Sequence, residues 1–224
     1  MLLSFVNDLL DLAKIEEGFF TLEQHEFSFH KVLHETYLMF KRYADLQGKK
    51  LIYKISNSMP KMIYGDHMRL QQVLINLIKN ALKFTSTNGF VKINASYIHK
   101  SNEILVAIQD TGIGISEKDQ EKLFKKFGKL KDIHKLNDKG VGLGLIICRH
   151  LTACHNGKIW LSSREMEGST FSFTMGMPPV ISETEEDTIL ERESADLQQF
   201  RTTNNNNNHG NISSSIENDE VIDH

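Results

Sequence analysis

One segment constrains the fold of this chain more than any other: residues 66–84, DHMRLQQVLINLIKNALKF. Its apolar residues recur every three or four positions, which predicts an amphipathic helix. Asp66 stands where its carboxylate can accept hydrogen bonds from the first free amides and favour the positive end of the helix dipole. The apolar row requires a sheet to pack against, and it consists of Leu70, Val73, Leu74, Leu77, Ile78, Ala81 and Leu82.

The other side of this predicted helix carries Asn76, Asn80 and Lys83, which share one face at positions i, i+4 and i+7. Amide oxygens suit a hard cation such as Mg²⁺, and a lysine ammonium suits phosphate. A solvated helix face with ordinary polar residues explains the same pattern. On this helix alone the second interpretation is favoured.

A second motif follows an apolar strand directly. Residues 105–109 lead into Asp110-Thr111-Gly112-Ile113-Gly114. A carboxylate at a strand end can accept a hydrogen bond from an exocyclic amine, and flanking glycines let a flat base approach the backbone. A DxGxG sequence alone is only a turn in most proteins.

A third motif is glycine-rich and opens a helix, at Gly140, Gly142 and Gly144. The free amides and the dipole of a helix start favour phosphate oxygens. The spacing fits neither GxGxxG nor the phosphate-binding loop GxxxxGK[ST], which disfavours those two nucleotide-binding folds. Before it lies a long loop, residues 123–141, of the size typical of lids or disordered segments.

Patterns elsewhere predict the other elements of an α/β protein. Further helices are expected at 1–16, 28–48 and 142–153. The second of these is expected to be capped by the Ser28 hydroxyl. A short extended stretch surrounds Phe20 and Leu22. Alternating apolar residues predict strands, largely in antiparallel pairs, at 51–55, 91–97, 104–108, 158–163 and 170–175. Their irregular alternation points to a two-layer sandwich of a mixed sheet and helices.

The charge distribution divides the chain. Residues 180–224 hold 11 acidic against 2 basic side chains, whereas residues 1–179 hold 18 against 24. The basic excess is scattered, so no nucleic-acid partner is expected. The acidic, asparagine-rich segment cannot bury enough apolar surface to fold, which predicts a disordered tail.

The cysteine content and the hydropathy indicate the cellular compartment of the protein. Cys148 and Cys154 fit neither a disulfide framework nor paired metal ligands, which favours a reducing environment. No apolar run approaches the length of a membrane span. We therefore expect a cytoplasmic location, and a longer parent chain could still be tethered to a membrane.

The motifs together resemble the ATP-binding domain of sensor histidine kinases, members of the GHKL superfamily. NLIKNALKFT, DTGIGI, LFKKF and GVGLGL resemble the N box, first glycine box, F box and second glycine box. Gly168-Ser169-Thr170-Phe171 resembles the glycine element of the closing strands. The resemblance implies a Bergerat-type two-layer α/β sandwich with helices on one face of a mixed sheet. It also implies a mobile lid between the F box and the second glycine box.

The resemblance also implies a domain division. NDLLDLAKIEEG resembles the end of the second helix of the family's dimerisation hairpin. Residues 1–17 would then be a remnant of that helix, residues 18–179 the catalytic domain, and residues 180–224 the tail.

Roles carried over from the family are position-specific. Asp110 would bind the adenine amine, and Asn80 would ligate Mg²⁺. Lys83 would contact phosphate, while Asn76 would lie near the metal and the γ-phosphate and act with Lys83 in catalysis. Phe124 and Phe127 would anchor the lid, although plain core packing explains them equally well.

The remaining nucleotide-binding positions implied by the resemblance belong to the three glycine elements. Val141 departs from the Ser or Thr that is common there, so one hydroxyl contact is missing. The positions are Gly112, Ile113, Gly114, Gly140, Val141, Gly142, Leu143, Gly144, Leu145 and Thr170.

The residue type at position 76 distinguishes two activities. Related ATPases of this fold carry a glutamate there, which activates water. An amide has no basic lone pair at neutral pH and cannot act as that general base. Asn76 therefore argues against hydrolysis and for transfer of the ATP γ-phosphoryl to an imidazole.

The family's acceptor histidine precedes Glu and a Thr-Pro turn, and no such box occurs in these 224 residues. His25-Glu26 and His34-Glu35 lack the turn, so we interpret them as ordinary solvated or packing residues. The chain is either a piece of a longer kinase, the simpler explanation, or an acceptor-less protein that pairs with a complete kinase.

The expected partners follow from the leading hypothesis, phosphoryl transfer from Mg-ATP to histidine in two-component phosphorelay signalling. They are ATP, a phosphoacceptor hairpin from the parent or another kinase, and a response-regulator receiver domain, with a homodimeric parent. A non-catalytic nucleotide-binding regulatory module or partner of a complete kinase is the alternative. A GHKL-type ATPase comes third.

Overall fold

The computed structural model describes residues 10, 11, 13–15, 17–120, 123 and 143–180. The predicted tail, apart from Val180, therefore lies outside the described residues. Residues 10, 11 and 13–15 are helical. After them the elements follow in the order β1 (His25–Phe27), α1 (Phe29–Leu46), β2 (Lys50–Ile55), β3 (Ile63–Gly65), α2 (His67–Phe84), β4 (Phe90–Ile98), β5 (Glu103–Asp110), α3 (Glu117–Gln120), α4 (Gly144–Cys154), β6 (Ile159–Arg164) and β7 (Gly168–Gly176).

Five of the described strands form one mixed sheet in the order β2-β4-β5-β7-β6. β2 runs parallel to β4, and the other neighbours are antiparallel. β1 and β3 pair with each other in a separate antiparallel ribbon. The helices α1, α2 and α4 share one apolar core with the inner face of the sheet. The predicted α/β sandwich, with helices on one face of a mixed sheet, is confirmed.

The inner face of the sheet comes from strict alternation along its central strands. Val91, Ile93 and Ala95 are buried in β4, and Val106 and Ile108 are buried in β5, while the residues between them are more exposed. Each fully buried side chain of this size stabilises the fold by about 1.5–3 kcal/mol. The alternation therefore fixes which face of the sheet meets the helices.

The apolar row of α2 is buried as predicted, each of its seven residues being at most 3% exposed. Asp66 caps the helix: its Oδ1 accepts the Arg69 N–H at 3.1 Å, and its Oδ2 accepts the Glu23 N–H at 2.9 Å. Polar residues recur in every described helix, and none of these helices is long and apolar enough to cross a membrane.

Two local features differ from the sequence expectations. Ser28 precedes α1, but only its carbonyl oxygen engages the helix, accepting the Val32 N–H at 3.2 Å, and its hydroxyl makes no cap hydrogen bond. The paired strands β1 and β3 were not predicted, because three-residue strands are too short to show alternation.

A partly buried ion pair joins the N-terminal helical segment to α2. Arg69 Nη1 donates to Asp11 Oδ2 at 2.7 Å, and the Gln72 amide donates to the same oxygen at 3.0 Å. The Arg69 guanidinium also lies 4.9 Å from the centre of the Phe20 ring. Asp11 is only 6% exposed, so its charge depends on these partners. The segment is thus held to the domain by a specific polar contact.

We predict a coupling free energy of about 1–3 kcal/mol between Asp11 and Arg69, since the pair shares one buried network. The measurement is a double-mutant cycle with Asp11→Asn and Arg69→Met, followed by urea denaturation. The exposed pair Lys41–Asp45 on α1 provides the matched control and should show no measurable coupling, because solvent screens it. Equal coupling in the two cycles would contradict the prediction.

Candidate functional site

The end of β5 places a carboxylate in a buried position. Asp110 is 5% exposed, and its Oδ1 accepts the backbone N–H of Gly112 at 2.8 Å. The residues of the DxGxG motif thus form a turn whose backbone N–H donates to the carboxylate of its own first residue. The carboxylate direction is therefore fixed by its own loop.

The DxGxG loop lies against the C-terminal end of α2. Thr85 and Gly112 form an isolated antiparallel bridge. A Cβ atom on Gly112 would lie 2.6 Å from the Phe84 carbonyl oxygen and 2.7 Å from Asp110 Oδ1. Only glycine fits there, because real Cβ atoms do not approach so closely. The close approach brings the first glycine box to the end of the N-box helix.

The closing strands pack on the same loop. A Cβ atom on Gly114, whose φ is +66°, would lie 1.9 Å from the Arg164 carbonyl oxygen. A Cβ atom on Gly168, whose φ is +113°, would lie 2.1 Å from the carbonyl oxygen of Asp110. Both positions therefore require glycine for conformation as well as for space.

The start of α4 faces the polar side of α2. A Cβ atom on Gly144 would lie 3.3 Å from Asn76 Oδ1 and 3.4 Å from its Cγ. The last glycine of the second glycine box thus contacts the first asparagine of the N box, although 67 residues separate the two along the chain. Two motifs that the sequence relates only by order are adjacent in space.

The other polar residues of α2 also lie outside the core. Asn76, Asn80 and Lys83 are partly exposed. Lys83 Nζ lies 5.3 Å from the centre of the Phe84 ring, in the last turn of the helix. Within the part of the chain that the structure describes, the carboxamides of Asn76 and Asn80 have no hydrogen-bond partner. Their oxygens are therefore available to a ligand.

Burial sets the electrostatics of Asp110. It raises the pKa of the carboxyl above its ordinary value, and hydrogen bonds from the backbone N–H groups of Gly112 and Ser169 act in the opposite direction. A group with a raised pKa binds more protons in the folded than in the unfolded protein. The free energy of unfolding then falls as the pH rises from the pKa of the unfolded state to the raised pKa of the folded state. At neutral pH the ionised carboxylate is therefore destabilising.

Sequence reasoning missed a set of side chains around this carboxylate. Ser169 pairs with Asp110 across the β5–β7 ladder, whereas the predicted Thr170 pairs with Gln109. Ser163 and Gln120 bind the same loop through side-chain hydrogen bonds. Ser169 lies within the glycine element at residues 168–171, but Ser163 and Gln120 carry no local signal, because their partners are distant in sequence.

The other predicted positions divide into two groups. Ile113 is 36% exposed at the loop, Leu143 is buried before α4, and Leu145 packs partly buried against the core. Five predicted positions lie outside the described residues, so their roles in a lid and its anchoring stay predictions: Phe124, Phe127, Gly140, Val141 and Gly142.

The two His-Glu pairs have ordinary surroundings. His34 Nδ1 lies 3.0 Å from the Tyr53 hydroxyl. His25 Nε2 lies 2.6 Å from His67 Nδ1 in an edge-on contact. Both residues are exposed, which supports their interpretation as ordinary solvated or packing histidines.

The side chains that most often bind metal ions, His, Cys, Asp and Glu, form no suitable cluster among the described residues, since no group of three of them could hold an ion. An open depression of about 460 Å³ is lined by Lys54, Asn94 and Ala107, among others, and by none of the motif residues. A cation at the candidate site would have to rely on amide oxygens and on the ligand itself.

Comparison with known proteins gives the family. Residues 65–179 match the family described as histidine kinase-, DNA gyrase B- and HSP90-like ATPase. The signal transduction histidine-protein kinase BarA of Escherichia coli (strain K12) is 37% identical over 179 residues, covering 79% of this chain and 19% of BarA. The chain thus spans about a fifth of the length of that curated relative.

Solved structures give the same result. Full-length ShkA in complex with AMPPNP superposes with a TM-score of 0.69 at 27% identity, over 80% of this chain and 36% of that one. Histidine kinase ThkA in complex with the response regulator protein TrrA gives a TM-score of 0.58 at 28% identity, over 76% and 47%. The chain therefore belongs to the histidine kinase-, DNA gyrase B- and HSP90-like ATPase family.

Proposed function

We propose that this chain binds Mg-ATP and transfers its γ-phosphoryl group to a histidine on a phosphoacceptor hairpin. The observation that carries the proposal is the proximity of Gly144 to Asn76, since a Cβ atom added to the glycine would lie 3.3 Å from the amide oxygen. It brings the start of α4, where free amides favour phosphate, next to the Asn76 amide oxygen, which suits a hard cation. ShkA, the related kinase bound to AMPPNP, supports a nucleotide at this kind of site.

Asp110 is the proposed base-recognition residue. Its Oδ1 is engaged by Gly112, which leaves acceptor capacity on the carboxylate for an exocyclic amine. Burial strengthens such a bond, because little water competes for the oxygen. Gly112 and Gly114 give the flat base access to the backbone, which fits adenine at this end of the sheet.

The residues on α2 fit a magnesium ion bound chiefly by phosphate oxygens and water. Mg²⁺ accepts oxygen ligands and usually takes few of them from the protein. Asn80 would supply an amide oxygen, and Asn76 would lie beside the metal and the γ-phosphate. When bound, the ion neutralises charge on the phosphates, and Lys83 at the end of the helix adds a positive charge from the protein.

The chemistry proposed for the site is displacement at phosphorus. An imidazole nitrogen lone pair attacks the γ-phosphorus in line, the bond from phosphorus to the bridging oxygen breaks, and ADP leaves with those electrons. The imidazole proton passes to solvent. Asn76 cannot deprotonate water, so the site favours transfer to an incoming nucleophile over hydrolysis.

The proposed partners extend beyond the described residues. The N-terminal helical segment held by Asp11 and Arg69 would belong to a dimerisation hairpin. The acceptor histidine would lie on that hairpin in the same parent, or on the hairpin of another kinase. ThkA, the related kinase bound to TrrA, supports a response-regulator receiver domain as the next acceptor of the phosphoryl group.

The first prediction of this proposal concerns Asp110→Asn. An amide presents one acceptor and one donor group, so either the Gly112 bond or the bond to the adenine amine is lost. A hydrogen bond to a charged group is worth about 1.5–3 kcal/mol, so the Kd of a fluorescent ATP analogue should rise about 10- to 100-fold. The nucleotide-free variant should melt at the same or a higher temperature at pH 7, because a destabilising buried charge is removed. Unchanged affinity would refute the base pocket.

The second prediction concerns the metal. Mg²⁺ should tighten ATP binding to the unmodified chain, and Asn80→Ala should lose most of this gain while ATP affinity in the presence of EDTA stays unchanged. Lys79→Ala, the exposed neighbour on α2, is the matched control and should keep the full effect. Calorimetric titrations with and without Mg²⁺ measure both quantities. An unaltered Mg²⁺ gain in Asn80→Ala would remove Asn80 from the metal site.

The third prediction concerns the reaction itself. Mixed with a separate phosphoacceptor hairpin from a related kinase such as BarA and with γ-labelled ATP, the chain should label the hairpin histidine and release little free phosphate. Asn76→Glu should raise phosphate release, because a carboxylate can act as a general base for water. Nucleotide binding without labelling would favour the regulatory module, and steady hydrolysis by the unmodified chain would favour an ATPase.

A further inference from the structure

The hydroxyl of Ser163, on β6, joins three segments around the base-recognition residue. Its Oγ lies 2.9 Å from the backbone nitrogen of Ile115, 3.0 Å from the carbonyl oxygen of Gly168 and 2.9 Å from Ser169 Oγ. Ile115 follows the DxGxG motif directly, Gly168 is the first residue of β7, and Ser169 is the second. A single side chain therefore connects the loop after Asp110 to the start of β7.

The chemistry of a hydroxyl determines the direction of each bond. Ser163 has one hydrogen and two lone pairs. The hydrogen goes to the Gly168 carbonyl, which can only accept, and one lone pair accepts the Ile115 N–H. The second lone pair then accepts the hydroxyl hydrogen of Ser169. The hydrogen-bonding capacity of Ser163 is fully used within the protein.

Two of these partners act directly on Asp110. Ser169 pairs with Asp110 across the ladder, and its backbone N–H stabilises the ionised carboxylate. Gly168 packs on the Asp110 carbonyl, with no room for a Cβ atom between them. Holding Ser169 and Gly168 therefore holds both the carboxylate and the backbone that carries it.

A second side chain supports the same connection. Gln120 Nε2 donates to the Ile115 carbonyl oxygen at 2.8 Å and to the Ser163 carbonyl oxygen at 3.0 Å. The loop is thus bound to β6 through both backbone groups of Ile115. Its N–H donates to the Ser163 hydroxyl, and its C=O is linked to the strand by the Gln120 amide. The β6–β7 ladder extends over Ile159–Arg164 through backbone pairing, so the strand itself does not need the Ser163 hydroxyl.

We propose that Ser163 is a positioning residue that sets nucleobase specificity, by fixing Ser169 and the DxGxG loop so that the Asp110 carboxylate faces an exocyclic amine. The proposal rests on the function proposed above for Asp110. Ser163 touches no nucleotide in this scheme. Its effect is on the choice between a base with an amine and a base without one.

The test compares ATP with inosine triphosphate, which carries a carbonyl oxygen in place of the exocyclic amine. We expect the unmodified chain to bind ATP more tightly, because a carboxylate attracts the amine and repels the carbonyl. Ser163→Ala removes three hydrogen bonds and should lower the ratio of the two Kd values about fivefold or more, mainly by weakening ATP. Titration of each nucleotide into the full chain measures the ratio.

Three variants make the result specific. Ser162→Ala, the exposed neighbour on the other face of β6, should keep the ratio of the unmodified chain. Ser163→Thr retains the hydroxyl and should restore most of the preference. Ser169→Ala removes one of the three bonds and should lower the ratio by a smaller factor. It also serves as the test if Ser163→Ala does not fold.

The outcomes separate this proposal from the one on which it rests. If Asp110→Asn abolishes the preference for ATP while Ser163→Ala, or Ser169→Ala in its place, leaves it unchanged, the positioning role is overturned and the base pocket stands. Equal weakening of both nucleotides in Ser163→Ala also overturns it, since that is the effect of a merely structural residue. If Asp110→Asn does not alter the preference for ATP, the proposed base pocket itself is overturned.

Discussion

The burial of one face of α2 is the constraint on which the rest of the structure depends. A helix repeats every 3.6 residues, so placing the row from Leu70 to Leu82 in the core also fixes where Asn76 and Asn80 lie. A rotation of the helix that exposed the apolar row would bury these amides, at roughly 1–3 kcal/mol for each one left without a partner. The capped start at Asp66 and the alternating strands beneath fix the helix in one register. Core packing and site direction are therefore determined by the same pattern.

Given that helix, close backbone contacts assemble the site. Gly112 lies against the end of α2, Gly144 against Asn76, and Gly168 against Asp110. At Gly112 and Gly168 the missing side chain lets two backbone segments approach more closely than any other residue would allow, whereas Gly144 lies beside the Asn76 side chain. Because backbone positions are set by many hydrogen bonds at once, contacts of this kind vary less than contacts between flexible side chains. Such a framework suits a site that must hold a flat base and a phosphate chain.

The sequence predicts the features that depend on short-range periodicity. The α2 row and its Asp66 cap, the central strands and the antiparallel β4–β5 and β6–β7 pairs are confirmed because each is visible within about ten residues. The sequence does not reveal the parallel β2–β4 pairing or the ribbon of β1 and β3, since both depend on partners far along the chain. The hydrogen bonds of the Ser163 hydroxyl are not predictable from the sequence for the same reason. The sequence relates Asn76 and Gly144 only by the order of their motifs, and the structure places them side by side, whereas their ligand roles require experiments with nucleotide.

Two buried aspartates show how the fold separates stability from recognition. Asp11 and Asp110 are almost equally buried, at 6% and 5% exposure. Asp11 is neutralised by the Arg69 guanidinium, so its charge is used in holding one segment to another. The groups among the described residues that shift the pKa of Asp110 are neutral N–H donors, and they offset only part of the effect of burial. A cation beside Asp110 would stabilise the empty protein but would occupy the oxygen that an amine needs. Leaving this carboxylate without a charged partner lowers stability at neutral pH, and it preserves the acceptor on which the proposed base recognition depends.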